Sequence, residues 1–310
     1  MTLGTIERDR LRYLKVYKRR ARTVITLLVV GLILIILGIC LRVTFIFLLA
    51  LIPIFAGIGV MMARKDFADM YSNKYKLNII YGLLNKYYDD VSYIKHSFMP
   101  LKGVVDSGLF DNKIDRFNKE DVITGTYNGI KFIAFDATLE KKHTEINGKT
   151  PIEEYITFFK GRWYEFDLNR SFNTTIIIKE INKFDNFKVD NLKEVQVESY
   201  DFSSRFKAYT DNEQMFFYIF TPKVIESVLK LEEIHDGQFM FSLKNNIVNI
   251  GINDSKDYLE LNLFNEVSED ELKPIEAQIS MMAAIINEFN FDGYKYQEEN
   301  YEDIKNIVEK

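Results

Sequence analysis

TVITLLVVGLILIILGICL (Thr23 to Leu41) and VTFIFLLALIPIFAGIGVMMA (Val43 to Ala63), separated by Arg42 alone, decide the architecture of this chain. The first run has nineteen uncharged residues and the second twenty-one, each enough to cross the hydrocarbon layer of a bilayer. One continuous helix through both would be ~60 Å long, about twice the ~30 Å apolar thickness, with a charge near its middle. Two spans that turn at Arg42 remove both difficulties. A cleaved signal peptide fits poorly: the first apolar run is too long, no small-residue cleavage site follows, and a second span comes at once. Pro53 falls inside the second span, where it removes a backbone donor. Neither span holds an acid, a lysine or a histidine, so neither supplies a proton relay or an ion path. Gly57, Gly59 and Ala63 give a small-residue surface, suited first to packing within the hairpin and otherwise to contact with another helix.

The flanks set the expected orientation. Lys15, Lys18, Arg19, Arg20 and Arg22 precede the first span, and Arg64, Lys65, Lys74 and Lys76 follow the second, against Arg42 between them. Both termini are therefore expected in the cytoplasm of a two-span cell-membrane protein. Residues 1–22 carry eight Lys and Arg against two acids, whereas residues 66–310 carry 29 against 43. The basic tail, with Leu11, Leu14 and Tyr17, suits a short surface helix on anionic lipid; the simpler reading is that its charges only set topology. An acidic body speaks against nucleic acid as a partner. The single cysteine, Cys40, lies in the first span and allows no intramolecular disulfide or thiolate cage. Abundant Lys, Asn, Phe and Tyr with scarce Pro suggest an AT-rich bacterial genome.

Beyond the membrane, Leu77, Ile80, Leu83, Leu84, Tyr87, Tyr88 and Val91 recur at helical steps, predicting an amphipathic helix over about 66–93 within a membrane-proximal segment, 64–98. Pro100 and Gly103 then open a domain over 99–265. Strands are expected at 122–127 and 130–138 around Asn128-Gly129, a dipeptide suited to a two-residue turn with positive φ, and at 155–166, 174–180, 193–199 and 205–209. Thr210 with Glu213 reads as a capping box for a helix to about Ile219, and Thr221-Pro222 starts a second to about Glu232. Phe239 to Leu243 and Ile247 to Ile252 form a hairpin turning at Asn245-Asn246. Ile275, Ile279, Met282, Ile286 and Phe289 mark a helix from about Pro274, within a C-terminal segment 266–310 whose last twenty residues are expected to fray. Hairpins with helices added late make the fold class α+β, since strands and helices do not alternate regularly.

Chemical signatures are missing. No P-loop, His-Glu-x-x-His or Gly-x-Ser-x-Gly pattern occurs. His96, His143 and His235 stand apart in sequence, and the acid pairs Asp89-Asp90 and Glu153-Glu154, like Glu269 to Glu271, suit solvated faces and helix starts. Trp163 in FFKGRWYEF reads as a core-strand residue, with Lys160 and Arg162 at charged edges rather than as a base-stacking surface. No catalytic, cofactor-binding or metal-binding residue is assigned, and no cofactor is implied.

The order of Ser107-Gly108-Leu109-Phe110, Glu120 to Gly125 (EDVITG), Phe159 to Trp163 (FKGRW), Phe202 to Tyr209 (FSSRFKAY), Thr221-Pro222 and Phe239 to Ile252 (FMFSLKNNIVNIGI) resembles the bacterial family called domain of unknown function 3137. The likeness runs from about residue 66 to 265 and includes two membrane spans ahead of the domain. It implies an architecture and supplies no catalytic residues. The sequence thus leads to a membrane-anchored cytoplasmic domain that binds a protein or small ligand without catalysis. An accessory subunit of a larger membrane complex and an enzyme with an unrecognised site are the competing expectations.

Overall fold

The computed structural model describes residues 3–98, 100–110, 114–147, 150–181, 191–235, 237–260 and 263–296. These fall into two compact units, residues 1–83 with 258–277, and residues 84–257 with 278–310.

The first unit is built on two long helices, α1 (Leu3–Leu41) and α2 (Thr44–Tyr87). Both contain segments long and apolar enough to cross a membrane, Gly4–Leu41 and Thr44–Arg64. Ile25, Leu32, Ile52 and Phe55 are exposed there, an apolar surface suited to lipid. The turn between them is a Schellman motif: Arg42 is left-handed at φ 54°, its N–H donates to the Ile39 carbonyl at 3.3 Å, and the Val43 N–H donates to the Gly38 carbonyl at 3.2 Å. Small residues bring the helices together. A Cβ on Gly31 would lie 2.8 Å from Ile54, on Gly38 3.3 Å from Phe47, and on Gly57 3.6 Å from Leu27. Gly57 therefore serves the hairpin itself, while nothing lies within 4 Å of a Cβ at Gly59. Pro53 is carried inside α2.

The basic tail is not a separate surface helix, because α1 continues through it from Leu3. Its arginines tie the pair together. Arg20 donates to the Ala63 carbonyl at 2.8 Å and lies over the Phe67 ring, and Arg64 lies over Tyr17. Ile6, Tyr71, Tyr75, Ile79, Leu263 and Val267 form this unit's apolar cluster. Arg10 forks onto Glu7 at 2.6 and 2.7 Å and donates to the Leu263 carbonyl, while Glu7 accepts the Val267 N–H at 2.9 Å. The buried Lys76 pairs with Glu260 at 2.5 Å.

The second unit is α+β, with, among the described residues, a nine-stranded antiparallel sheet of order β1-β2-β3-β4-β9-β8-β5-β7-β6. β1 (Asp89–His96) occupies residues expected to continue the amphipathic helix, which ends at Tyr87. Val91 and Tyr93 suit a period of two as well as helical spacing, and pairing with β2 decides for strand. β2 (Arg116–Tyr127) and β3 (Ile130–Asn147) meet at the expected turn, with Asn128 at φ 49° and Gly129 at φ 78°. β4 (Thr150–Asp167) pairs with β3 along its whole length. α3 (Lys102–Asp106) comes between β1 and β2 in chain order, where Pro100 and Gly103 predicted a break.

Farther along come β5 (Thr175–Glu180), β6 (Lys193–Val195), α4 (Tyr200–Arg205) and β7 (Phe206–Thr210). The strand expected over 193–199 stops at Val195, and α4 was unforeseen. α5 (Glu213–Ile219) is capped by Asn212, which accepts the Met215 N–H, and not by Thr210, whose hydroxyl donates to the Thr175 carbonyl. α6 (Pro222–Glu233) starts on its proline, β8 (Gln238–Lys244) and β9 (Ile247–Asn253) form the expected hairpin, and α7 (Glu269–Phe289) begins five residues before Pro274. Residues 297–310, expected to fray, lie outside the described residues.

Alternate β4 residues enter different surroundings. Phe159 and Trp163 join Val122, Phe135, Leu139, Ile177 and Met240 in a core that includes Leu101 and Val104 at α3. On the other face Phe166 packs on Phe291, Phe241 on Phe289, and the Tyr88 hydroxyl donates to the Ile279 carbonyl while accepting the Ala283 N–H. Trp163 is a core residue, as the sequence suggested. Lys160 is exposed, but Arg162 is fully buried rather than at an edge.

Candidate functional site

Two polar places interrupt the apolar sheet. The first is a cleft of about 550 Å³ bounded by Lys102, Gly103 and Asp106 of α3, Glu165 of β4, and Lys244, Asn245, Asn246, Ile247 and Asn249 of the β8–β9 hairpin. Its floor follows from strand register. Glu165 stands opposite Asn249, and Asn249 opposite Ser242, so three adjacent strands place a carboxylate, an amide and a hydroxyl in one row. Ser242 and Asn249 are buried, and the Asn249 Nδ2 donates weakly to the Ser242 hydroxyl at 3.5 Å. The Asn249 Oδ1 is buried without a hydrogen-bond partner, a costly state for an acceptor.

α3 lies close over Glu165: a Cβ on Gly103 would fall 1.8 Å from the carboxylate oxygen, so glycine is what allows this approach. Burial pushes the Glu165 pKa up, aided by Asp167 and Asp106 and opposed by Lys119. Burial in turn pushes the Lys119 pKa down; its ammonium sits 4.0 Å from the centre of the Phe135 ring. At the rim the Lys244 ammonium donates to the Asp106 carbonyl at 3.2 Å. The cleft is acceptor-lined at its floor and cationic at its rim.

The second place lies around Arg162. Asp121, Asp136 and Asp257 bring carboxylate oxygens within 4.8 Å of one another, a group chemically able to hold a cation. Asp121 reaches it from a bulge in β2, where its φ is 50° and register shifts between Glu120 and Ile123. Arg162 donates to Asp136 at 3.0 Å, and the Tyr93 hydroxyl donates to Asp121. Burial opposes the Arg162 charge, yet Asp136 and Asp121 hold its pKa above the ordinary value. Arg162 partly neutralises the acids, which makes this a buried charge network as much as an ion site.

The residues weighed from sequence sit elsewhere. His96 on β1 pairs with Glu120 at 3.3 Å, His143 lies on β3 opposite Glu154, and His235 follows α6. Glu153 pairs with Lys142 at 2.6 Å, Asp89 and Asp90 open β1, and Glu269 to Glu271 form the first turn of α7. Glu165 and Asn249 escaped notice because their juxtaposition depends on the pairing of β4 with β9. The available signal was a polar residue interrupting each of two apolar strands, Tyr164-Glu165-Phe166 and Val248-Asn249-Ile250.

A nine-stranded antiparallel α+β unit in one chain with two helices of membrane-spanning length defines a membrane-associated protein of uncharacterised activity. Residues 157–291 match the model of the family described as "Protein of unknown function (DUF3137)", which supports membership of the family the ordered motifs resemble. No curated protein matches the chain. Among solved structures, the crystal structure of the mycobacterial trehalose monomycolate transport factor A matches at 7% identity and a TM-score of 0.35, over 68% of this chain and 94% of that one. A likeness at that TM-score carries no argument about function.

Proposed function

We propose that this chain is a two-span protein of a bacterial cell membrane, with both termini in the cytoplasm, whose α+β domain binds a small ligand in the cleft of Glu165 and Asn249 without catalysing its conversion. The observation that carries the reading is Asn249, which lines a cleft large enough for a small molecule and whose buried Oδ1 has no hydrogen-bond partner. Binding, rather than chemistry, suits the lining: the half-buried Glu165 and the exposed Asp106 carboxylates, amides and lysines, with no serine, cysteine or histidine among the described lining residues. The excess of basic residues beside both spans supports the orientation, and the same residues near the bilayer surface suit contact with anionic lipid.

The test is a thermal-shift screen of the full chain in detergent against a panel of metabolites, repeated on Asn249→Leu. A ligand that raises the melting temperature of the parent and not of the variant supports the reading. Stabilisation of both proteins alike places binding elsewhere, and turnover of a bound ligand removes the noncatalytic part. An enzyme reading draws on one observation, the raised pKa of Glu165 in a cleft, which is how general bases are often prepared.

A further inference from the structure

The geometry points to a small zwitterion as the ligand of this cleft, with a primary ammonium seated between Glu165 and Asn249 and an anionic group turned toward the lysines at the rim. The inference rests on the binding reading above and specifies its ligand. The floor presents acceptors: the Glu165 carboxylate, and opposite it across the β4–β9 pair the Asn249 Oδ1, which has no donor of its own. The Asn249 amide nitrogen lies 3.5 Å from the Ser242 hydroxyl, and its oxygen is left without a partner beside the cleft that Asn249 lines. A ligand that completes this floor must bring hydrogen-bond donors, and a cationic N–H donor is favoured because Glu165 stands there with Asp106 nearby.

The rim has the opposite character. Lys102 and Lys244 line the same cleft, and Lys244 is already drawn across it to the Asp106 carbonyl. A plain amine would leave these charges unused, and a plain carboxylate would face the acceptors of the floor. One molecule carrying both groups satisfies both ends. A trimethylated ammonium has no N–H to offer these acceptors, so a primary ammonium suits the floor where a trimethylated one does not.

Trp163, the chain's only tryptophan, is two residues from Glu165 on the same face of β4 and reports on this floor. The experiment titrates the full chain in detergent with glycine, methylammonium, acetate and trimethylglycine while following Trp163 emission. Glycine should give a saturable change, methylammonium a weaker one, and acetate and trimethylglycine none. Glu165→Gln should weaken glycine binding by roughly tenfold or more, the usual cost of losing a hydrogen bond to a charged group. Lys244→Met should reduce the advantage of glycine over methylammonium without removing the methylammonium response.

Equal responses to acetate and glycine, or a glycine response unchanged in Glu165→Gln, would overturn the inference. So would a flat titration with all four probes in a protein whose folding is shown by cooperative melting. The two proposals fail differently. A metabolite without an ammonium that stabilises the parent and not Asn249→Leu sinks the zwitterion and keeps the cleft as a binding site, whereas loss of every Asn249-dependent effect sinks both.

Discussion

Glu165 is half-buried under α3, and its folded-state pKa is raised above 4.5 chiefly by desolvation. A carboxyl group with a raised folded pKa contributes stability that is fully present below its unfolded pKa and is lost as pH rises through the folded value. Relative to Glu165→Gln, which cannot ionise, the parent should therefore lose melting temperature as pH is raised from about 4.5 through that window. Parallel melting curves for the two proteins across pH would refute this. Arg162 behaves otherwise. Removing it in Arg162→Met takes away the ion-pair partner of the largely buried Asp136 carboxylate and should cost about 3–5 kcal/mol, while Arg162→Met with Asp136→Leu should recover much of the loss. Denaturant melts of the two variants decide it. At Gly161, an added Cβ would fall 2.0 Å from the Ile252 carbonyl oxygen, so Gly161→Ala should destabilise by about 1–3 kcal/mol or more as β4 and β9 are forced apart.

Elements whose signals are local were legible. Asn128-Gly129 and Asn245-Asn246 announced hairpins because left-handed backbone suits those residues, and Pro222 announced the start of α6. Elements decided by partners were not. β1 was hidden because its apolar spacing fits two periods, α4 because six residues are too few to show one, and the outer reaches of β2, β3 and β4 because their solvated residues lack an apolar rhythm. The candidate site was illegible for the same reason, since Glu165 and Asn249 are 84 positions apart and meet only through sheet register. Capping gives an element-scale test. Asn212→Ala should cost about 1 kcal/mol through loss of the bond to the Met215 N–H, seen as a lowered denaturation midpoint with unchanged slope.

At the scale of the whole molecule, the turn at Arg42 separates the proposed orientation from its inverse. In an Arg42→Cys, Cys40→Ala variant, a membrane-impermeant maleimide applied to intact cells should label the new thiol, while a C-terminal cysteine in the Cys40→Ala background should react only after permeabilisation. The reverse pattern would invert the topology. The strand order has a different consequence, for how the chain is made. β1 to β4 pair each with the next and can assemble as they leave the ribosome, but the far side of β4 is paired by β9, after β5, β6 and β7 have been synthesised. For that interval β4 presents an unpaired apolar edge, and a chain stopped before Ile247 would keep it. A nascent or truncated form is thus exposed to self-association that the finished sheet avoids, so folding has to outrun aggregation at this one seam.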